Sequence, residues 1–242
     1  NEFNFDAYKA IITDPSFGQS LAFTFYIAIA STVLSIALAI FISMGIRKAF
    51  KGKRTTLFAF QFPLPIPHLV SGIMILFLFS QSGLLSRLLT LVGAIDTPAD
   101  FPQIVYSKNG IGIILALMWK FVPYVGVAVV GILQTTGMAY EEAAISLGAN
   151  AWQRFVYVLL PVIMPSITTS AILIFAYAFS SYEIPFLLGA VFPKTLSIVA
   201  YQKFMDINLA MRPQAMAMSS VITVIVLAIV LIYKKLASKV RY

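Results

Sequence analysis

An all-α, polytopic bundle of transmembrane helices is the fold class predicted by three observations. The 242-residue chain is 60% hydrophobic and 11% charged, its mean hydropathy is +0.92, and its apolar residues run in continuous stretches without strand-like alternation. Such fractions lie well outside those of a soluble globular domain. About 20 apolar residues in a helix cross roughly 30 Å of hydrocarbon, and five stretches are long enough: 20–45, 57–80, 110–135, 162–187 and 214–233. Little chain is left over, so a single domain, 1–242, is expected.

The first span follows the polar stretch NEFNFDAYKAIITDPSFGQS, which lacks the basic start and apolar core of a signal peptide. The second carries Pro63, Pro65 and Pro67 near its start, so irregular first turns are expected there. Between the spans, 81–93 and 195–204 have helical apolar spacing and are expected to form short helices at the membrane surface.

Charge orients the spans. Arg47, Lys48, Lys51, Lys53 and Arg54 cluster after the first span, and Lys234, Lys235, Lys239 and Arg241 close the chain. Basic clusters beside spans stay on the cytoplasmic side. With five spans, that places the C-terminus in the cytoplasm and residue 1 on the outer face, where basic and acidic residues balance. A multi-pass protein embedded in a lipid bilayer follows. An outer N-terminus without a signal sequence predicts a further helix ahead of residue 1. The net charge of +8 is thereby explained by topology, and no nucleic-acid partner is expected.

The third inner segment, GMAYEEAAISLGANAWQRFVYVLLP at 137–161, differs in kind. Glu141 and Glu142 would suit the first turns of a short helix, where carboxylates meet the positive end of the dipole. Ala143 and Ala144 are small enough for another surface to approach, and Leu147 precedes Gly148, placed where a helix ends in a left-handed residue. Asn150 and Gln153 then form a capping box for a second helix. Helix, tight turn, helix is the expected shape, with Pro161 and Pro165 marking the start of the fourth span.

Glu142-Ala143-Ala144, Gly148 after three residues, then Val158, Leu160 and Pro161 resemble the EAA motif of permease subunits in binding-protein-dependent ABC importers. The stretches PLPIPHLVSGI, GIGIILALMWKFVPYVG and SYEIPFLLG extend the resemblance over most of the chain. It is nearest the spermidine and putrescine, ferric iron and phosphonate branch. The resemblance implies a type I importer fold with five core helices plus an N-terminal one. It also implies a coupling helix in which Glu141, Glu142, Ala143, Ala144, Leu147 and Gly148 meet a cytoplasmic ABC ATPase. The remaining implied partners are a second permease, identical or homologous, and an extracytoplasmic solute-binding protein. ATP and Mg would belong to the ATPase, because this chain has no G-x-x-x-x-G-K-[ST]. KGKRTT at 51–56 has Arg47 where the first glycine is required.

Lys120, mid-way along the third span, and Glu183, in the outer part of the fourth, are ionisable groups at membrane depth. Such groups face the interior, pair, or line water. With Ser180, Ser181 and Tyr182 they are pathway candidates, and a structural Lys120–Glu183 ion pair is the alternative. His68 is expected to be a hydrogen-bonded structural residue. The chain has no cysteine and one histidine, and neither a metal cluster nor a catalytic constellation is present in the sequence, so a transport subunit rather than an enzyme is expected. A secondary transporter or channel without an ATPase is the alternative function, and it leaves the EAA segment unexplained.

Overall fold

The computed structural model describes residues 5–48 and 53–239, and all regular structure among them is helical. Five helical stretches are long and apolar enough to cross a membrane: Pro15–Ile46, His68–Leu91, Ile111–Thr135, Ala151–Ser180 and Leu209–Tyr233. The expected number of spans therefore stands. Lys51 and Arg241, from the two basic clusters, lie outside the described residues.

The chain divides into two compact units: Asn1–Ser31, Pro67–Leu117 and Phe175–Tyr242 form one, Thr32–Ile66 and Met118–Ile174 the other. The divisions near residues 31, 117 and 174 fall inside continuous helices, not in linkers.

In the first unit, α1 (Asp6–Ile12) leads into α2 (Pro15–Lys48) through a turn held by Asp14. Its carboxylate accepts bonds from the Ser16 amide at 2.9 Å and hydroxyl at 2.7 Å and pairs with Lys203 at 3.6 Å. The Ser16 bonds chiefly, aided by the Lys203 charge, hold the Asp14 carboxyl below the usual carboxylate range.

Helix α2 is arranged for lipid. Its buried positions include Ser20, Thr24, Ser31, Thr32, Ser35 and Ser43, whereas Ile29, Val33, Leu34, Leu38 and Phe41 are exposed. Small residues inward and large apolar residues outward reverse the soluble pattern and let helices approach closely in hydrocarbon. One inward hydroxyl joins distant parts of the first unit: Thr24 Oγ1 accepts from the Leu196 amide at 2.9 Å. Next to it, Phe25 and Phe179 meet edge to face at 4.9 Å.

The second expected span, 57–80, is corrected. Helix α3 (Lys53–Gln61) ends before the prolines, residues 62–67 are non-helical, and α4 (His68–Phe79) starts afresh. Three prolines in five residues remove amide donors and block the carbonyls four residues earlier, so a continuous helix is impossible. His68 opens α4 and stacks on Tyr177 at 4.3 Å. The expected short helices appear as α5 (Leu84–Leu91) and, further on, α10 (Leu196–Phe204). Helix α4 packs on α9 (Glu183–Leu188), and α10 packs on α11 (Arg212–Lys239).

In the second unit, α6 (Ile111–Ser146) is longer than its expected span and carries straight into the motif segment. Its Gly126 carbonyl accepts from Ser43 Oγ at 3.2 Å. The Phe60 ring sits where any Gly126 side chain would be, so glycine is required there by close packing.

The fourth expected span, 162–187, is corrected at both ends. Helix begins with α7 (Ala151–Arg154), passes through a π-helical turn (Phe155–Leu159) and continues as α8 (Leu160–Ser180). Pro161 does not start a helix; the wide turn before it accommodates the proline. The Leu160 amide bonds the Phe155 carbonyl five residues back, and no amide of residue 161 is needed. At the other end Pro185 stops the helix, since its ring would strike the carbonyl of Ser181 four residues earlier. Helix α8 ends at Ser180, and α9 starts at Glu183.

Candidate functional site

The motif segment folds as an elbow. Glu141 and Glu142 lie in the last turns of α6, not the first turns of a separate helix, which corrects the dipole argument. The negative charge of Glu141 is balanced differently. Arg154 Nε, from α7, donates to Glu141 Oε1 at 3.3 Å, while its Nη1 donates to the Ala149 carbonyl at 2.9 Å. One guanidinium thus ties both arms of the elbow to the turn between them.

The turn itself follows the expected chemistry. Gly148 has φ +80°, and the amides of Gly148 and Ala149 bond the carbonyls of Ile145 and Ala144 at 2.9 and 3.0 Å. This is a Schellman ending, which satisfies the last carbonyls of α6. Asn150 and Gln153 exchange bonds at 2.9 Å in both directions, the expected capping box. Ala144 is buried, whereas Glu142, Ala143 and Leu147 are exposed, Leu147 by 88%. Leu147, Gly148, Gln153 and Tyr157 border a hollow of about 450 Å³. Replacing Arg154 with Ala should loosen the elbow by about 1 kcal/mol, because both partners are partly buried and the bond to the carbonyl is charge-assisted. Faster amide hydrogen exchange at residues 148–153 checks this; unchanged protection would show that the capping box suffices alone.

A second feature lies in the first unit. A cleft of about 590 Å³ between the end of α8, α10 and α11 is lined by Ser180, Tyr182, Ser197, Tyr201, Ser219 and Thr223, among others. Tyr182 and Tyr201 meet at 4.5 Å. Burial, with the Tyr201 bond, pushes the Tyr182 hydroxyl up to about 12, so it stays neutral at ordinary pH. Of the pathway candidates, Ser180 and Tyr182 therefore line this cleft. Ser181 is buried and is not among the lining residues, and Glu183 is exposed in the first turn of α9.

With these features in place, comparison with known proteins is decisive. Residues 31–242 match the model of the family described as binding-protein-dependent transport system inner membrane component. The chain belongs to that family. It is 26% identical to the probable sulfate transport system permease protein cysT of Marchantia polymorpha, over 78% of this chain and 64% of that protein. It is 28% identical to the molybdenum transport system permease protein ModB of Mycobacterium tuberculosis, over 72% of this chain and 63% of the relative. The match to the inner membrane ABC transporter permease protein YcjO of Escherichia coli is also 28%, over 94% and 77%. The chain thus spans less than two thirds of the length of the first two relatives.

The same fold occurs in a bacterial ABC transporter involved in import of the acidic polysaccharide alginate. That match has a TM-score of 0.81 and 18% identity, and covers 100% of this chain and 85% of that one. An amino acid ABC transporter solved with histidines matches at a TM-score of 0.60 and 16% identity, over 98% and 97%. The type I importer permease fold is established. Two of the three named relatives are sulfate and molybdenum transport permeases and the third carries no solute in its name, so none of them supports the expected polyamine, iron and phosphonate branch.

In this permease the buried Lys120 has a specific environment. It is 5% exposed, and its Nζ donates to the carbonyls of Pro63, Leu64 and Ile66 at 2.6, 2.9 and 2.5 Å. An ammonium has three donors, and all three are occupied within its own unit. The proline-rich break frees those carbonyls, and Lys120 satisfies them. Arg154, Ser197, Tyr201, Ser219 and Thr223 are the site residues that sequence reasoning missed. Arg154 carried one usable signal, as the lone cation in a segment that holds two glutamates.

Proposed function

We propose that this permease forms half of the solute pathway of an ATP-driven importer and is moved through the 137–161 elbow, which docks on a cytoplasmic ABC ATPase. The observation that carries this reading is the locked turn with an exposed Leu147. The turn is held by a left-handed glycine, a capping box and a bridging guanidinium, and it presents a large apolar side chain that no other described residue covers. An exposed apolar knob on a rigid support is what a partner's groove receives.

The ATPase subunits bind ATP and Mg and interact differently with the two permease states, since equal affinity would shift no equilibrium. A second permease, identical or homologous, completes the pathway, and an extracytoplasmic binding protein delivers the solute. The elbow and the C-terminus face the cytoplasm, and residue 1 faces outward. Ser180, Ser181, Tyr182 and Glu183 belong to the pathway region, whereas Lys120 braces the proline-rich break. The solute is small and polar. Polyamines, ferric iron and phosphonates are the candidates from the motif resemblance, and sulfate and molybdate are those of the named relatives.

Leu147→Asp is expected to leave the protein in the membrane and to lower the ATPase recovered with it at least tenfold. Undiminished recovery of the ATPase would remove the proposal.

A further inference from the structure

Resting on the outward orientation of residue 1 proposed above, which brings the chain back to the outer side after two spans, we infer that α5 is a lipid-binding helix of the outer leaflet. Leu84, Leu88 and Leu91 lie among acyl chains, Arg87 holds a phospholipid phosphate, and through α4 this seat fixes the depth of α9.

The burial of α5 is the reverse of that in a soluble amphipathic helix. Ser86 is its one fully buried side chain, whereas Leu84, Leu88 and Leu91, with Val92 just beyond the helix, are exposed, Leu91 by 81%. Spaced four and three residues apart, the leucines share one face. The stripe also closes the apolar run His68–Leu91, so it continues a segment suited to hydrocarbon. Its composition favours lipid over a protein partner. Protein docking sites are anchored by Trp, Tyr and Arg in fitted pockets, with Leu under-represented, and a row of leucines without an aromatic ring suits fluid chains instead.

Arg87 supplies the polar half of the contact. It is exposed beside the leucine stripe, and no carboxylate among the described residues pairs with it. Its Nε donates to the Ser82 carbonyl at 3.1 Å, which orients the guanidinium and leaves four of its five N–H donors for a visitor. Paired donors of this kind match a phosphate, and the long stem lets the charge reach headgroup level above the buried leucines.

The seat is rigidly joined to the rest of the first unit. A Cβ at Gly83 would lie 2.7–2.9 Å from the carbonyl oxygens of Phe77, Leu78 and Ser80, so only glycine permits this tight turn from α4 into α5. Ser86 Oγ donates to the carbonyls of Gln81 at 2.7 Å and Gly83 at 3.0 Å. Gln81 Nε2 in turn reaches the carbonyls of Ala99 and Phe101 at 3.2 and 3.3 Å. Helix α4 packs on α9 closely enough that a Cβ at Gly72 would sit 3.0 Å from Leu187 Cδ1. A shift of α5 is thereby passed to α9.

The test uses the assembled importer with its ATPase, second permease and receptor, in vesicles of phosphatidylcholine mixed equally with phosphatidylglycerol. The chain has no cysteine, so with cysteine-free partners Leu88→Cys carries a single NBD fluorophore. Bromine on the acyl chains should at least halve its emission, and aqueous iodide should change it little. Bromine confined to the phosphatidylglycerol should quench at least twofold more than bromine confined to the phosphatidylcholine. Arg87→Gln should abolish that preference, and Arg87→Lys should keep most of it. The triple variant Leu84→Ser, Leu88→Ser, Leu91→Ser should retain its ATPase and lower the maximal uptake rate at least threefold.

Quenching by iodide places α5 in water, and quenching by neither agent places it under a protein partner; either overturns the lipid seat. Equal quenching by the two brominated lipids, or a preference that survives Arg87→Gln, overturns the phosphate contact. Full-rate uptake by the triple variant overturns the positioning of α9. The exposed Asp96, replaced by Cys, reads the side of the membrane separately. A membrane-impermeant maleimide should label it in intact cells. Acyl-chain quenching at residue 88 without that labelling would mean that the outward orientation, and the outer leaflet with it, is wrong while α5 still binds lipid.

Discussion

Gly148→Val is expected to reduce ATP-dependent uptake at least tenfold while the permease accumulates in the membrane near its normal level. Gly148 has φ +80°, a region that a β-branched residue enters only with strain of roughly 1–2 kcal/mol or more. Space is not the obstacle, because a Cβ at this position meets nothing within 4 Å. Relief of the strain would move the backbone out of the left-handed region. It would break the Gly148 and Ala149 amide bonds to Ile145 and Ala144 and swing Asn150 away from Gln153. The helices crossing the membrane do not depend on those bonds, so the loss falls on the elbow. Gly148→Asn serves as the control: asparagine tolerates the left-handed conformation and should retain most of the activity. Uptake by ATP-loaded right-side-out or reconstituted vesicles, measured beside permease abundance, distinguishes the two. A fully active valine variant would show that the elbow need not be rigid.

Lys120→Met is expected to act on the fold itself. It removes the donor to three carbonyls that the proline-rich break leaves without helical partners. A buried carbonyl left without a partner costs about 1–3 kcal/mol; Pro63 keeps the Ile66 amide at 3.4 Å and the bonds to Leu64 and Ile66 are part-buried, so the expected loss is about 1–3 kcal/mol in all. The methionine also lifts a buried charge, which offsets part of this. The net result should be a clear fall in the thermal midpoint of the detergent-purified permease and a lower yield of monodisperse protein. Lys120→Arg, which keeps the donors, should lie between the methionine variant and the native protein. Equal stability of all three would mean that the break holds its shape without the ammonium.

These two sites show where sequence was informative. The Gly148 turn and the Asn150–Gln153 box involve partners within a few residues, and local spacing is enough to place them. The same local signals misplace Glu141 and Glu142, because a dipole preference of about 0.3–1 kcal/mol yields to a guanidinium brought from 13 residues away. Lys120 and the three prolines were each legible as anomalies, one a charge at membrane depth and the other a broken helix. Their union spans 54 to 57 residues, and only the packing of the second unit joins them. Pro161 and Pro185 illustrate the ambiguity of a proline signal: the first sits inside a helical run through a π-turn, and the second ends one. The cleft was half visible. Ser180 and Tyr182 come just before the charged Glu183 in sequence, while Ser197, Tyr201, Ser219 and Thr223 join them only when α10 packs on α11.

The absence of cysteine from the chain allows a direct measurement, because Leu147→Cys would be its single thiol. The assembled transporter carrying this change is labelled with a maleimide–benzophenone reagent and illuminated. The account predicts a photo-adduct between this permease and the ATPase subunit, formed from the cytoplasmic side and altered in yield by ATP. Labelling of that cysteine by a membrane-impermeant maleimide added to intact cells, with no adduct to the ATPase, would contradict it.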